Sequence, residues 1–81
     1  MRLLVVEDDV TLRESLAKQL EAAGYAVEQA ADGREGQYYA LEYPVDLAII
    51  DLGLPEVSGL DISLSGLVKF TVVTRAFRAP A

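Results

Sequence analysis

The chain has 81 residues, of which 52% are hydrophobic and 25% are charged, a composition typical of one small globular domain. It contains no cysteine and no histidine, so disulfides, thiolate metal sites and histidine-based sites are excluded. The net charge of -6 disfavours binding to nucleic acid phosphates, which depends on Lys and Arg. No apolar run approaches the roughly 18 residues that a membrane span needs, and no secretory signal pattern is present. A cytoplasmic protein without membrane association is expected.

The first predicted element is a short apolar run at residues 3–6, which ends directly in Glu7, Asp8 and Asp9. A second run of this kind, at residues 47–50, ends in Asp51. Both runs predict buried parallel strands. Because the carboxyl ends of parallel strands form one edge of a sheet, these carboxylates should converge there. A cluster of this composition favours a cation.

An amphipathic helix is predicted after the first strand. Leu12, Leu16 and Leu20 recur every four residues and form one apolar stripe. Gly24 then supplies the left-handed residue that commonly ends a helix.

Two residues are candidates to cap this helix. Asp9 stands before the apolar stripe, and Thr11 with Glu14 three residues later has the spacing of a capping box. For Asp9 we favour the capping role over a role as a ligand.

A strand, a turn and a second helix are predicted next. Residues 25–29 predict a short strand, Asp32 and Gly33 a turn, and residues 34–42 a helix that Pro44 terminates. The order is therefore strand, helix, strand, helix, strand, with short connections. That alternation predicts an α/β fold in which helices cover a parallel sheet.

The composition changes near Asp61. Residues 1–61 carry all 13 acidic residues and four of the seven basic ones, a net charge of -9, whereas residues 62–81 carry three basic residues and no acid. Residues 63–68 predict a poor helix, and residues 70–74 are compatible with a fourth strand. We expect the third strand to keep an uncovered edge, which would invite association between chains.

The motifs around the predicted strand ends resemble a known family. The segments at 3–9, 46–55 and 58–61 are similar, in kind and in order, to those of the receiver domain of bacterial response regulators. The resemblance covers residues 1–61 and is strongest to the OmpR-like branch, which carries a winged-helix DNA-binding domain after the receiver. It implies the flavodoxin-like doubly wound parallel sheet of the receiver fold, here truncated to about three or four strands.

The resemblance also implies a site. Asp51 matches the aspartate that accepts a phosphoryl group from a sensor histidine kinase. Glu7 and Asp8 match the acidic pair of the family, and with Asp51 and the backbone carbonyl of Gly53 they would hold Mg2+. A metal ion is also what this reaction requires. A carboxylate nucleophile and the phosphoryl oxygens repel each other until a divalent cation offsets their charges. The chain would be a phosphoryl acceptor and not an enzyme, with at most a slow autophosphatase activity, and its parent a DNA-binding transcription regulator.

The chain departs from the family pattern after Asp61. Thr74-Arg75-Ala76 resembles the switch segment, so Thr74 is the candidate switch residue, although it comes several residues early. Lys69 precedes the candidate fourth strand, so no residue matches the family's phosphoryl-pairing lysine. The family's dimerisation surface also has no counterpart, and we expect no direct nucleic acid binding by this chain.

Residues 1–61 are therefore predicted to be the amino-terminal portion of a receiver. Residues 62–81 are predicted to be an atypical tail, either a partial fourth strand or an out-of-frame segment.

The same residues disfavour two other classes of protein. A phosphatase of the haloacid-dehalogenase type needs a second aspartate two residues after its nucleophile, where this chain has Gly53. A P-loop needs a glycine-rich turn that ends in Lys and then Ser or Thr, and neither Lys18 nor Lys69 lies in such a turn. A non-phosphorylated receiver-like interaction module and an inactive truncated fragment both stay open, because only chemistry at Asp51 separates them from a working receiver.

Overall fold

The computed structural model describes residues 1–53 and 56–74, in which four strands form one sheet and three helices pack on it. The strands are β1 (Arg2–Glu7), β2 (Ala26–Ala30), β3 (Leu47–Asp51) and β4 (Phe70–Val73), and the helices are α1 (Val10–Ala22), α2 (Gly33–Glu42) and α3 (Glu56–Leu64). The strand order is β2-β1-β3-β4 and every pairing is parallel. The predicted fold class, a doubly wound parallel α/β sheet of about three or four strands, is confirmed.

Asp9 begins α1. Its side chain accepts a hydrogen bond from the Leu12 N–H at 3.1 Å, the geometry of an N-cap. The alternative cap, Thr11, was wrong, because the helix starts at Val10 and Thr11 lies inside its first turn. Gly24 follows the helix with φ of 100°, the left-handed conformation that glycine adopts without strain.

Helix α2 packs unusually close to the sheet. A Cβ atom at Gly36 would lie 3.0 Å from Val6 Cγ2, which is closer than ordinary van der Waals contact. Asp32 caps the helix by accepting from the Glu35 N–H at 2.8 Å, and the Glu35 carboxylate in turn accepts from the Ala31 N–H at 2.8 Å. This reciprocal capping fixes the start of α2 directly after β2.

The main core lies between the sheet and helices α2 and α3, while α1 packs on the opposite face against β1 and β2. Alternate residues of β1 and β3 point into this core, as the period of two along a strand requires. Its buried side chains are Leu4, Val6, Ala30, Ala40, Val45, Ala48, Ile50, Leu52, Val57, Leu60, Leu64 and Val68. The core therefore holds β1 and β3 side by side at the centre of the sheet.

Asp46 joins three strands at the amino edge of the sheet. Its side chain accepts from the Arg2 N–H at 2.9 Å and lies 3.5 Å from Lys69 Nζ, and its carbonyl accepts from the Phe70 N–H at 3.1 Å. The Arg2 N–H, and after it Lys69, holds the pKa of Asp46 below its ordinary value. These contacts align β1, β3 and β4 at a common starting level.

The expectation of an uncovered edge on the third strand was wrong. Strand β4 pairs with β3 along its length, with Leu47 opposite Phe70 and Ile50 opposite Val73. Helix α3 ends at Leu64, and the short connection at 65–69 returns the chain to the sheet. In the described part of the chain, β4 is therefore an outermost strand.

Candidate functional site

Two buried carboxylates face each other at the carboxyl edge of the sheet. Glu7 ends β1 and Asp51 ends β3, and the register of this parallel pair places them directly opposite each other. Each residue is only 2% exposed. The apolar runs that precede them form the centres of the two strands, so the first acidic residue of each run emerges at the same edge. The predicted convergence of Glu7 and Asp51 is thus a feature of the structure.

The environment of Glu7 shows that the acidic side chains interact. The pKa of Glu7 is raised from 4.5 to about 7, chiefly by burial and further by hydrogen bonding to Asp8 and Asp51 and by the charge of Asp51. The Asp9 N–H donates to Glu7 Oε2 at 3.0 Å, and this hydrogen bond lowers the pKa of Glu7. The ionisation of Glu7 is therefore influenced by both Asp8 and Asp51.

The loops that follow β1, β2 and β3 surround a cavity of about 290 Å³. The lining residues are Asp8, Ala31, Asp32, Gly33, Leu52, Gly53 and Glu56. Two predicted ligands, Asp8 and Gly53, thus border one space, and Glu7 and Asp51 are the chain neighbours of lining residues. Asp32 and Glu56 also border the cavity, so its rim is strongly acidic.

Sequence reasoning did not anticipate the place of Asp32 and Glu56. The sequence predicts a turn at Asp32, and the structure places this residue just after the carboxyl end of β2. Ligand sites of parallel sheets form at the carboxyl ends of the strands, so this position was a signal in the sequence for Asp32. Glu56 opens α3 after a loop, and its Oε2 would lie 3.8 Å from a Cβ atom at Gly53. Its position as the first residue of α3 places it at the cavity.

The loop after β3 aims the Gly53 carbonyl at the start of α3. That carbonyl accepts a hydrogen bond from the Val57 N–H at 3.3 Å. Gly53 itself is exposed and borders the cavity, so its backbone is accessible there. Pro55, whose fixed φ would stiffen this loop, lies outside the described residues.

Thr74 lies beside the acidic pair. It follows β4 directly, and its N–H donates to the carbonyl of Ile50 at 3.0 Å. Because Val73 is opposite Ile50, the register places Thr74 level with Asp51. The predicted switch segment continues through Arg75 and Ala76, which lie outside the described residues.

Lys69 lies at the other end of the sheet. It precedes β4, and its ammonium group pairs with Asp46 at the amino edge. It is therefore remote, by the length of a strand, from the carboxyl edge where Asp51 lies.

The oxygen donors at this edge suit Mg2+. Within residues 1–53 and 56–74, no three acidic side chains are already arranged as a metal-binding cluster, so Glu7, Asp8 and Asp51 are not a ready-made cage. Mg2+ nevertheless keeps several of its waters and needs only a few protein oxygens. A hard cation would also offset the negative charge that these neighbouring carboxylates bring to the edge of the sheet. The residues present therefore fit the ion.

Comparison with known proteins identifies the family of this chain. The family model described as response regulator receiver domain matches residues 3–69. The chain belongs to the response regulator receiver domain family. The helices of this receiver, over the residues that the structure describes, include none long and apolar enough to cross a membrane.

A curated relative of this receiver is the virulence transcriptional regulatory protein PhoP of Salmonella typhimurium (strain 14028s / SGSC 2262). The two are 50% identical over 62 residues, which are 76% of this chain and 28% of PhoP. The chain thus spans well under half the length of the curated relatives that it matches. The similarity to a regulator of this kind confirms the predicted resemblance to the OmpR-like branch.

Solved structures support the same assignment. The receiver domain of the hybrid histidine kinase CckA is 30% identical, with a TM-score of 0.80 over 95% of this chain and 87% of that chain. Thermotoga maritima TrrA in complex with Mg2+ and BeF is 28% identical, with a TM-score of 0.71 over 95% of this chain and 73% of that chain. TrrA in complex with the histidine kinase ThkA is 29% identical, with a TM-score of 0.72 over 98% of this chain and 74% of that chain. All three are receiver or response regulator structures, which confirms the fold.

Proposed function

We propose that this receiver accepts a phosphoryl group on Asp51 from a sensor histidine kinase. The observation that carries the proposal is the register of β1 and β3, which sets Asp51 opposite Glu7, both buried, at the edge where Asp8 and Gly53 border a cavity. A response regulator similar to this chain, TrrA, has been solved in complex with the histidine kinase ThkA, and this supports the choice of partner.

In the proposed reaction a carboxylate oxygen of Asp51 attacks the phosphorus of a phosphohistidine. An O–P bond forms as the P–N bond breaks, and the imidazole that leaves takes up a proton from water. The apolar residues of β3 hold Asp51 in place at the end of the strand, and the cavity admits the phosphoryl group from the side of Asp8. The product is an acyl phosphate.

Glu7, Asp8, Asp51 and the backbone carbonyl of Gly53 are the residues that we propose for holding Mg2+. When bound, the ion would offset the negative charge that the attacking carboxylate and the phosphoryl oxygens share. The similar regulator TrrA has been solved in complex with Mg2+ and BeF. That neighbour supports the choice of metal.

We further propose that Thr74 is the switch residue. Its position level with Asp51 allows its hydroxyl to contact a phosphoryl group there, whereas Lys69 lies at the opposite edge. We retain the expectation that no residue of this chain takes the role of the family's lysine. A phosphoryl group on Asp51 would then be stabilised by fewer contacts than in the family pattern.

The division of the chain is also a proposal. We assign residues 1–61 to the amino-terminal portion of the receiver and residues 62–81 to an atypical tail that contributes β4 to the sheet. The abrupt change of charge near Asp61 supports this boundary.

The parent protein is proposed to be a cytoplasmic, DNA-binding transcription regulator, because the curated relative PhoP is a transcriptional regulatory protein. This chain itself is proposed not to bind DNA, because its net charge of -6 opposes contact with phosphates. Its role is to accept a phosphoryl group on its own aspartate, so it is not proposed to be an enzyme.

Intact mass spectrometry after incubation with acetyl phosphate and Mg2+ tests the proposal. We expect one phosphoryl adduct that is labile to hydroxylamine and absent from Asp51→Asn. Asp9→Asn is the matched control, because asparagine caps a helix as well as aspartate and leaves α1 intact. An adduct that persists in Asp51→Asn would show that another residue is the acceptor. A folded wild-type chain without any adduct would favour a receiver-like interaction module or an inactive fragment.

A further inference from the structure

Arg13 connects helix α1 to the end of strand β1. Its guanidinium Nη1 donates a hydrogen bond to the carbonyl of Glu7 at 2.9 Å. Its backbone N–H donates to the carbonyl of Asp9, also at 2.9 Å. Arg13 therefore holds both ends of the short segment 7–9, which carries two of the residues proposed for Mg2+, Glu7 and Asp8.

The same segment sets the position of the Glu7 carboxylate. The Asp9 N–H donates to Glu7 Oε2 at 3.0 Å, and the Asp9 side chain accepts from the Leu12 N–H at 3.1 Å. A continuous set of hydrogen bonds thus runs from α1 through Asp9 to the carboxylate of Glu7. The Arg13 contact adds a restraint on the backbone, because the Glu7 carbonyl lies in the planar peptide group that joins Glu7 to Asp8.

Helix α1 is a firm support for this contact. It packs on β1 and β2, and Ala17 of the helix is fully buried. Arg13 lies near its amino end and is half-buried. A guanidinium N–H is a charged donor, and hydrogen bonds from charged donors are stronger than those between neutral groups. The helix can therefore hold the Glu7 carbonyl through the Arg13 side chain.

Such a restraint matters because the acidic groups at this edge repel one another. Glu7 and Asp51 are paired and buried, and Asp8 borders the cavity beside them. Repulsion favours any motion that separates these carboxylates when no cation is bound. Mg2+ demands near-octahedral geometry, so ligands that are held near their bound positions bind it more tightly than ligands that must first be ordered.

We infer that Arg13 is a positioning residue of the Mg2+ site, an inference that rests on the proposed function. Its guanidinium holds the peptide group between Glu7 and Asp8, and this keeps both carboxylates at the edge where Asp51 lies. Arg13 acts through these residues and not by contact with the ion. Its positive charge, taken alone, opposes the binding of a cation. The geometric role and the charge therefore have opposite effects on Mg2+ affinity.

Mg2+ titration of the full chain, followed by amide NMR shifts, separates the two effects. Arg13→Met removes the charge and the donors but keeps an unbranched side chain that suits a helix. We expect its Mg2+ dissociation constant to rise about tenfold, as is usual when a residue that orients a metal ligand is lost. Arg13→Lys keeps a charged N–H donor and should recover most of the affinity.

Lys18→Met is the matched control. It removes the same charge from an exposed position on α1 and should leave the Mg2+ dissociation constant within about twofold of the wild-type value. A dissociation constant that falls or stays unchanged in Arg13→Met would show that only the charge acts, and would overturn the inference. A wild-type chain without any response to Mg2+ would instead refute the proposed metal site, and the inference with it.

NMR of the metal-free variants tests the positioning contact itself. In Arg13→Met we expect the carbonyl carbon of Glu7 and the amide proton of Asp9 to shift upfield, because both signals report the hydrogen bonds of these groups. Lys18→Met should leave both signals in place. If Arg13→Met does not fold, Arg13→Gln replaces it in both tests, since its shorter side chain withdraws the donor from Glu7. Unchanged signals in the folded variant would contradict the role of Arg13, whatever the Mg2+ titration gives.

Discussion

Glu7 and Asp51 are directly paired residues of two neighbouring parallel strands, and both are buried. A folded protein rarely places two carboxyl groups together out of water, because each disfavours ionisation of the other. Burial raises the pKa of Glu7, and its contacts with Asp8 and Asp51 raise it further. At neutral pH the two buried carboxyl groups should therefore destabilise the metal-free chain. A bound cation should offset this destabilisation.

The stability of the metal-free chain should fall as pH rises through the neutral range. The folded chain raises the pKa of Glu7 from 4.5 to about 7, so the folded state holds a proton that the unfolded state has lost. The stabilising contribution of Glu7 is complete below about pH 4.5 and is lost by about pH 7, on the order of 3 kcal/mol at most. Urea unfolding at a series of pH values without divalent cations measures the change. Glu7→Gln should flatten this dependence, whereas exposed Glu14→Gln should leave it unchanged.

Mg2+ should stabilise the folded chain at neutral pH. At an ion concentration about one hundred times the dissociation constant, binding to the folded state alone adds about 2.7 kcal/mol. Thermal unfolding with increasing MgCl2 should show a rising midpoint that is strongly reduced in Glu7→Gln and Asp51→Asn. Exposed Glu42→Gln is the control for a general effect of removing one negative charge. Equal midpoint shifts in all four proteins would mean that the ion acts elsewhere.

Two glycines in helices should respond in opposite ways to alanine. Gly36→Ala inserts a Cβ atom 3.0 Å from Val6 Cγ2, so α2 or β1 must shift, and we expect a loss of about 1–2 kcal/mol in the free energy of unfolding. Gly59→Ala in α3 meets no atom within 4 Å and should add about 0.5–1 kcal/mol through helix propensity. Denaturant unfolding of both variants provides the comparison. Stabilisation by Gly36→Ala would show that the close approach of α2 to β1 is not a packing constraint.

Thr74 should matter for holding a phosphoryl group and not for folding. The strand register places Thr74 level with Asp51. Thr74→Val should therefore weaken the binding of beryllium fluoride with Mg2+ about tenfold, the effect of losing one hydrogen bond to a charged group. Thr74→Ser keeps the hydroxyl and should retain the affinity. Titration followed by amide NMR shifts gives the affinities, and thermal unfolding gives the stability. An unchanged affinity in Thr74→Val would remove Thr74 from the switch role.

The strand ends that carry Glu7 and Asp51, and the order of strands and helices, could be predicted from the sequence alone because short segments of the chain determine them. An apolar run of four residues that ends in an acid predicts a buried strand with its carboxylate at the edge, and this placed Glu7 and Asp51 together. The alternation of strand and helix predicted the parallel sheet. These patterns lie within windows of about ten residues, where periodicity and turn residues are sufficient.

Tertiary structure decided the features that depend on register and on loop paths. The count of residues between Asp61 and Thr74 indicated that Thr74 comes too early, yet α3 ends at Leu64 and β4 starts at the level of Asp46, so Thr74 reaches the level of Asp51. The same packing covered the edge of β3 with β4. It also brought Glu56 to the cavity. Such positions are set by contacts between residues far apart in the chain, and no local pattern in the sequence encodes them.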